Sequence, residues 1–170
     1  MHETCDACGF DGARYGPDLL LAEIRALGPR WRTALAGAGD RLRTRPAPEV
    51  WSPIEYAAHS RDITALHVYG VEQALTVDEP AVPPIAADDL IQSAAATYAR
   101  ADAAAVGDEL DAHALRLADL ADRAGPAAWG RGLRVGDDRS DVRQLLEHGL
   151  HDSVHHLADV ARGLASTRPV

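Results

Sequence analysis

The chain has no lysine: all 17 basic residues are arginine, and 26 acidic residues outnumber them, giving a formal net charge of −9. A nucleic-acid partner calls for a basic stripe along its phosphates, so this balance argues against one. Aromatic residues are scarce, 5% of the chain with a single phenylalanine. The hydrophobic share of 46% is therefore mainly alanine and leucine, both helix formers. Valine and isoleucine are scattered, without the alternation that marks strands. No apolar run reaches the roughly 18 residues of a transmembrane helix, so no membrane partner is expected. The opening Met1-His2-Glu3-Thr4-Cys5 lacks the basic and apolar regions of a signal peptide. A cytoplasmic, reducing location is the expectation, and there two cysteines serve as thiols or metal ligands rather than as a disulfide. The lysine-free, alanine-rich composition suggests a high-GC, bacterial genome.

What is present reads as helix. A length of 170 residues suits one domain with a sufficient core. The fold class expected is all-α, a four-helix bundle over residues 17–166, preceded by an N-terminal arm (1–16) and followed by a short tail (167–170). Leu20, Ile24, Leu27, Trp31 and Leu35 recur at helical spacing from Asp18 to about Gly37, with Pro29 kinking that helix or starting its second half. Ser52-Pro53-Ile54-Glu55 carries the signature of a helix start, with Ser52 as N-cap and Glu55 closing a capping box. That helix should run to about Leu75. A short or irregular helix is expected over Ala87–Tyr98, a third main helix from the N-cap Asp102 to Ala124, and turns at Gly130, Gly132 and Gly136. The fourth main helix should start near Ser140 or Asp141 and end around Ser166.

That last helix carries four histidines in nine residues, His148, His151, His155 and His156. At roughly 100° per residue, Val142, Leu146, Gly149, Ser153, Leu157, Val160 and Leu164 form the core stripe. Asp152 and His156 fall on its border, whereas His148, His151 and His155 lie nearly opposite. Both i,i+4 pairs, Asp152 with His156 and His151 with His155, suit two ligands of one metal ion, but they point different ways. On the second helix, His59 shares an inward stripe with Ile63, Leu66 and Gly70. His59, Asp152 and His156 can thus converge as three ligands, with Asp62 as the candidate to orient His59.

Cys5-Asp6-Ala7-Cys8-Gly9-Phe10 is a CxxC followed by turn residues, closer to a zinc knuckle than to a redox motif opening a helix. A knuckle needs two further ligands, and the outward pair His151 and His155 would complete a structural two-Cys, two-His site. His148 is a substitute and His2 a weaker one. The bland alternative is a mobile arm with two reduced thiols. His67 and His113 have no partner at metal spacing. Trp31, Trp51 and Trp129 read as packing residues. Arg131 is the candidate cofactor-binding residue, able to clamp a carboxylate, with a plain surface role as its alternative.

The run Trp51-Ser52-Pro53-Ile54-Glu55 through His59 and Asp62, together with His151-Asp152-Ser153-Val154-His155-His156-Leu157-Ala158-Asp159, resembles the DinB-like superfamily, including its branch related to mycothiol-dependent maleylpyruvate isomerase. The resemblance covers most of the chain. It implies an up-down-down-up bundle holding a divalent metal, zinc or nickel, with one ligand from the second helix and two from the fourth. Carried over, these are His59, Asp152 and His156, with Asp152 where many relatives have histidine. The implied activity is that of a thiol-dependent S-transferase or isomerase acting on a small-molecule thiol such as mycothiol and an electrophilic substrate. The resemblance also allows a homodimer. The competing expectation is a non-catalytic bundle with a structural zinc that binds a small molecule or acts in stress.

Overall fold

A computed structural model describes residues 2–83 and 94–166 of the chain. The strands β1 (Thr4–Cys5) and β2 (Phe10–Asp11) pair as a small antiparallel hairpin at the N-terminus. One bundle member consists of α1 (Pro17–Arg25) and α2 (Leu27–Ala38); the other three are α3 (Pro53–Thr76), α4 (Ala103–Ala124) and α5 (Val142–Ser166). The break at Ala26 has its cause four residues after Arg25. Pro29 has no N–H to give the Arg25 carbonyl, and its ring presses on that carbonyl.

The remaining helices begin where the sequence marks a cap. Glu55 accepts the Ser52 N–H at 2.9 Å and the Ser52 hydroxyl at 2.6 Å, fixing the start of α3. Asp102 Oδ1 accepts the Ala105 N–H at 2.9 Å, and α4 stops at Gly125, whose φ of 74° suits glycine. Asp141 accepts from the Gln144 N–H at 2.8 Å and returns its own N–H to Gln144 Oε1 at 3.0 Å, a reciprocal cap that opens α5.

Ion pairs between helices reveal the directions. Arg61 meets Glu109 and Arg116 meets Glu72, so α3 and α4 run parallel. Arg25 meets Asp119 while Arg32 meets Asp111, so the first member runs antiparallel to α4. Ser60 faces Asp152, and Gly70 packs on Leu145, so α3 and α5 are antiparallel. The result is the up-down-down-up bundle. Its core is built from Leu20, Ile24, Leu27, Trp31, Ile54, Leu110, Leu117, Leu146 and Leu150, all fully buried.

Between α4 and α5, Gly130 and Gly136 lie in turns as expected, but Gly132 opens a strand. That strand belongs to a small sheet in which β3 (Ala81–Val82) pairs parallel with β4 (Gly132–Val135), and β4 pairs antiparallel with β5 (Asp138–Asp141). Strands of two to four residues, with four of their ten residues charged, give no apolar alternation for a sequence reading to detect. Of the expected Ala87–Tyr98 helix, residues 94–98 are helical; the rest, and the 167–170 tail, lie outside the described residues. Among the described residues no helix is long and apolar enough to cross a membrane.

Candidate metal centres

His59 sits on the second turn of α3 and is 5% exposed, because α3 must turn this face into the bundle. Asp152 and His156 come from successive turns of α5, which runs antiparallel beside it. Asp152 Oδ1 lies 3.6 Å from His59 Nε2 and 3.5 Å from His156 Nε2. These spacings are too long for good hydrogen bonds. They are close to the separation of about 3.4 Å expected between two donors each about 2.1 Å from a tetrahedral ion. All three donor atoms fall within 4.8 Å of one another, and the donor set of two imidazoles and one carboxylate suits zinc or another borderline divalent cation.

The electrostatics agree. Burial pushes the Asp152 carboxyl up, but His156 and His59 more than reverse this and hold it far below the usual carboxylate range. Burial lowers His156, and Asp152 and Asp159 outweigh that and raise it. Asp159 Oδ2 accepts from His156 Nδ1 at 3.0 Å, fixing the ring so that Nε2 faces Asp152. Aromatic rings form the wall: Trp51 lies 5.3 Å and Tyr98 6.3 Å from His59, and Tyr56 lies 5.0 Å from His156.

A second cluster lies on the other side of α5. Cys5, Cys8, His151 and His155 each place one donor atom within 4.8 Å of the others. The hairpin turn presents both sulfurs, closed by the Gly9 N–H on the Cys5 carbonyl at 2.8 Å, with Gly9 at a φ of 74°. Cys5 Sγ is 3.5 Å from His155 Nδ1. The Cys8 backbone amide, then His151 and His155, pull the Cys5 thiol down to about 6, whereas burial pushes Cys8 up.

The arm carrying these cysteines docks along α5. His2 Nδ1 pairs with Glu147 at 2.8 Å, and Arg143 Nη2 donates to the Tyr15 carbonyl at 2.6 Å. Phe10 is 4% exposed, stacked 4.9 Å from the His151 ring. At Gly12 a β-carbon would stand 2.4 Å from Glu147 Oε2, so a larger residue here would have to displace the Glu147 carboxylate that holds the arm. The wheel placed His151 and His155 outward; the arm covers them to 15% and 29% exposure, while His148 stays 47% exposed.

Other sequence candidates have different tasks. Asp62 does not orient His59: it pairs with Arg61 at 2.7 Å, and among the described residues His59 Nδ1 is buried without a partner. Arg131 gives Nε to the Ala74 carbonyl at 2.6 Å and Nη2 to the Val77 carbonyl at 3.1 Å, so it caps the end of α3 instead of gripping a cofactor. That end is about 22 Å along the helix axis from His59. His67 is fully buried and bonded to the Ile63 carbonyl at 2.7 Å. Trp31 and Trp129 are core residues, but Trp51 also faces His59. The sequence reading missed Asp159 and Glu3. Asp159 stands three residues after His156, a spacing that signals a shared helix face; nothing local points to Glu3.

A solved structure described as "YfiT from Bacillus subtilis is a probable metal-dependent hydrolase with an unusual four-helix bundle topology" superposes with a TM-score of 0.77, at 19% identity, over 86% of this chain and 85% of that one. At that identity the likeness establishes the fold. No curated protein matches the chain. The family model of the DinB superfamily matches residues 23–160, a span that runs from the end of α1 to Val160 in α5 and includes His59, Asp152 and His156. The chain belongs to the DinB superfamily.

Proposed function

We propose that this protein is a metal-dependent enzyme that activates a low-molecular-weight thiol for S-transfer or isomerisation, with His59, Asp152 and His156 holding one divalent cation. The observation that carries the reading is the placement of Asp152 Oδ1 3.5 and 3.6 Å from two imidazole nitrogens, a ligand spacing in a buried setting. Zinc is the first candidate and nickel the second. A cation so held supplies Lewis acidity that ionises a thiol or a water at neutral pH.

The surrounding residues favour a thiol. Water attack profits from a general base. Among the described residues, each carboxylate near the donors already has partners: Asp152 faces both imidazoles, Asp159 is bound to His156 and Arg162, and Asp62 to Arg61. A thiol, once ionised, needs no further base. In S-transfer its sulfur bonds to an electrophilic carbon, the leaving group departs with the bonding pair, and the thiol proton passes to solvent. The Trp51, Tyr56 and Tyr98 rings give the electrophile an apolar wall. The high-GC composition makes mycothiol the thiol to try first. The YfiT description supports metal use, and its hydrolase chemistry is the second reading, with water in place of thiol.

The test measures bound metal and turnover of an electrophile with mycothiol and without it. Wild-type protein should consume the electrophile only with thiol, and His59→Ala and His156→Ala should each cut the rate at least 100-fold and empty the inner position. Unchanged inner metal and unchanged turnover in both variants would overturn the reading. Equal turnover without thiol would favour the hydrolase.

A further inference from the structure

We propose that Cys5, Cys8, His151 and His155 form a second metal site, a closed zinc site that fastens the N-terminal arm to α5. It goes beyond the inner centre and does not depend on it, since no donor is shared.

The donor types are those of a structural zinc site, two thiols and two imidazoles, and four protein donors leave no open position for chemistry. Their approach within 4.8 Å brings together residues from a hairpin and a helix about 150 positions apart in the chain. His151 Nε2 is buried with no hydrogen-bond partner among the described residues, which is costly for a neutral ring unless something else takes its lone pair. Its other nitrogen, Nδ1, lies 2.5 Å from Glu3 Oε1. That bond places the proton on Nδ1 and leaves the Nε2 lone pair free, as in carboxylate–histidine–zinc arrangements. His155 has the complementary arrangement: Nδ1 faces Cys5 Sγ at 3.5 Å and Nε2 faces Asp159 Oδ2 at 3.6 Å. The His151 ring is thus braced by the Glu3 carboxylate, and the Asp159 carboxylate lies on the far side of His155 at ion-pair distance.

A rival grouping of Glu3, His148 and His151 also lies within 4.8 Å. Its internal distances, 3.0 Å from His148 Nδ1 and 2.5 Å from His151 Nδ1 to the same carboxylate oxygen, are hydrogen bonds. Two ligands of one ion stand farther apart, so His148 is a partner of Glu3 and not a zinc ligand.

The experiment uses the full chain with His59→Ala, so that the inner centre does not confuse the count. Elemental analysis should find one zinc per chain, lost on adding Cys5→Ser or Cys8→Ser. Cobalt(II) loaded in its place should show thiolate-to-metal charge-transfer absorption and the strong visible bands of a tetrahedral site. In wild-type protein, which needs no substitution to fold, zinc should slow the reaction of both thiols with an aromatic disulfide at least tenfold. Zinc content indifferent to both cysteine substitutions, cobalt without a thiolate band, or thiols equally reactive with and without zinc would each overturn the proposal.

Discussion

Glu3 Oε1 stands 2.5 Å from His151 Nδ1, a hydrogen bond that joins the start of the chain to a helix 148 residues later. With His148 and His151 both on its carboxyl, Glu3 is held below its usual range, although burial alone would raise it. Glu3→Ala should therefore weaken zinc retention at the thiol cluster by roughly 10–100-fold, the usual effect of removing such a brace. Competition with a chromogenic chelator reads this directly. Metal at His59, Asp152 and His156 should not change.

Asp159 should behave differently, because it touches one histidine of each cluster. Its Oδ2 lies 3.0 Å from His156 Nδ1 and 3.6 Å from His155 Nε2, and its Oδ1 takes Arg162 at 2.5 Å. Asp159→Asn keeps the shape and removes the charge. Loss of metal from both positions, by roughly 10-fold or more each, is the expected outcome. A loss confined to one position would show that the carboxylate braces a single ring.

His67 makes stability depend on acid. Burial, then the nearby His148 charge, lowers it from the ordinary 6.5 to about 4. Between those values the unfolded chain carries a proton that the folded chain refuses, so stability falls as the pH drops from 6.5 toward 4. The loss is at most about 3 kcal/mol. Urea unfolding at pH 7 and pH 4.5 measures it, and His67→Gln should flatten the difference between the two.

Glu55 anchors the helix that presents His59. It is 2% exposed, accepts two bonds from Ser52 and pairs with Arg45. Glu55→Ala removes a cap and leaves Arg45 without its carboxylate, a loss of about 2 kcal/mol. The melting temperature should fall accordingly, while Ser52→Ala should cost about 1 kcal/mol.

The helices were legible because their signals are local: Ser52-Pro53 and Glu55 for α3, Asp102 and Gly125 for α4. The helical wheel also separated Asp152 and His156 from His151 and His155, since the phase between neighbours on a helix is fixed by geometry. What the wheel lacks is anything off the helix. The arm that covers His151 and His155, the carboxylate of Glu3, and the pairing of Ala81–Val82 with β4 are all contacts between distant parts of the chain. Arg131 misled for the same reason: its guanidinium is engaged by carbonyls at Ala74 and Val77, which no spacing rule near Arg131 announces.

Helices α3 and α4 run the same way, so no tight turn can join them. The end of α3 at Thr76 and the start of α4 at Ala103 therefore lie at opposite ends of the pair, roughly 33 Å apart on the length of α4. Just before α4, Tyr98 leans on both His59 and Trp51. A bundle wired in this order divides labour: α3 and α5 carry the donors, and the residues just before α4 add the Tyr98 ring beside them. Substitution of Tyr98 should change the wall beside His59 and leave the two donor helices in place.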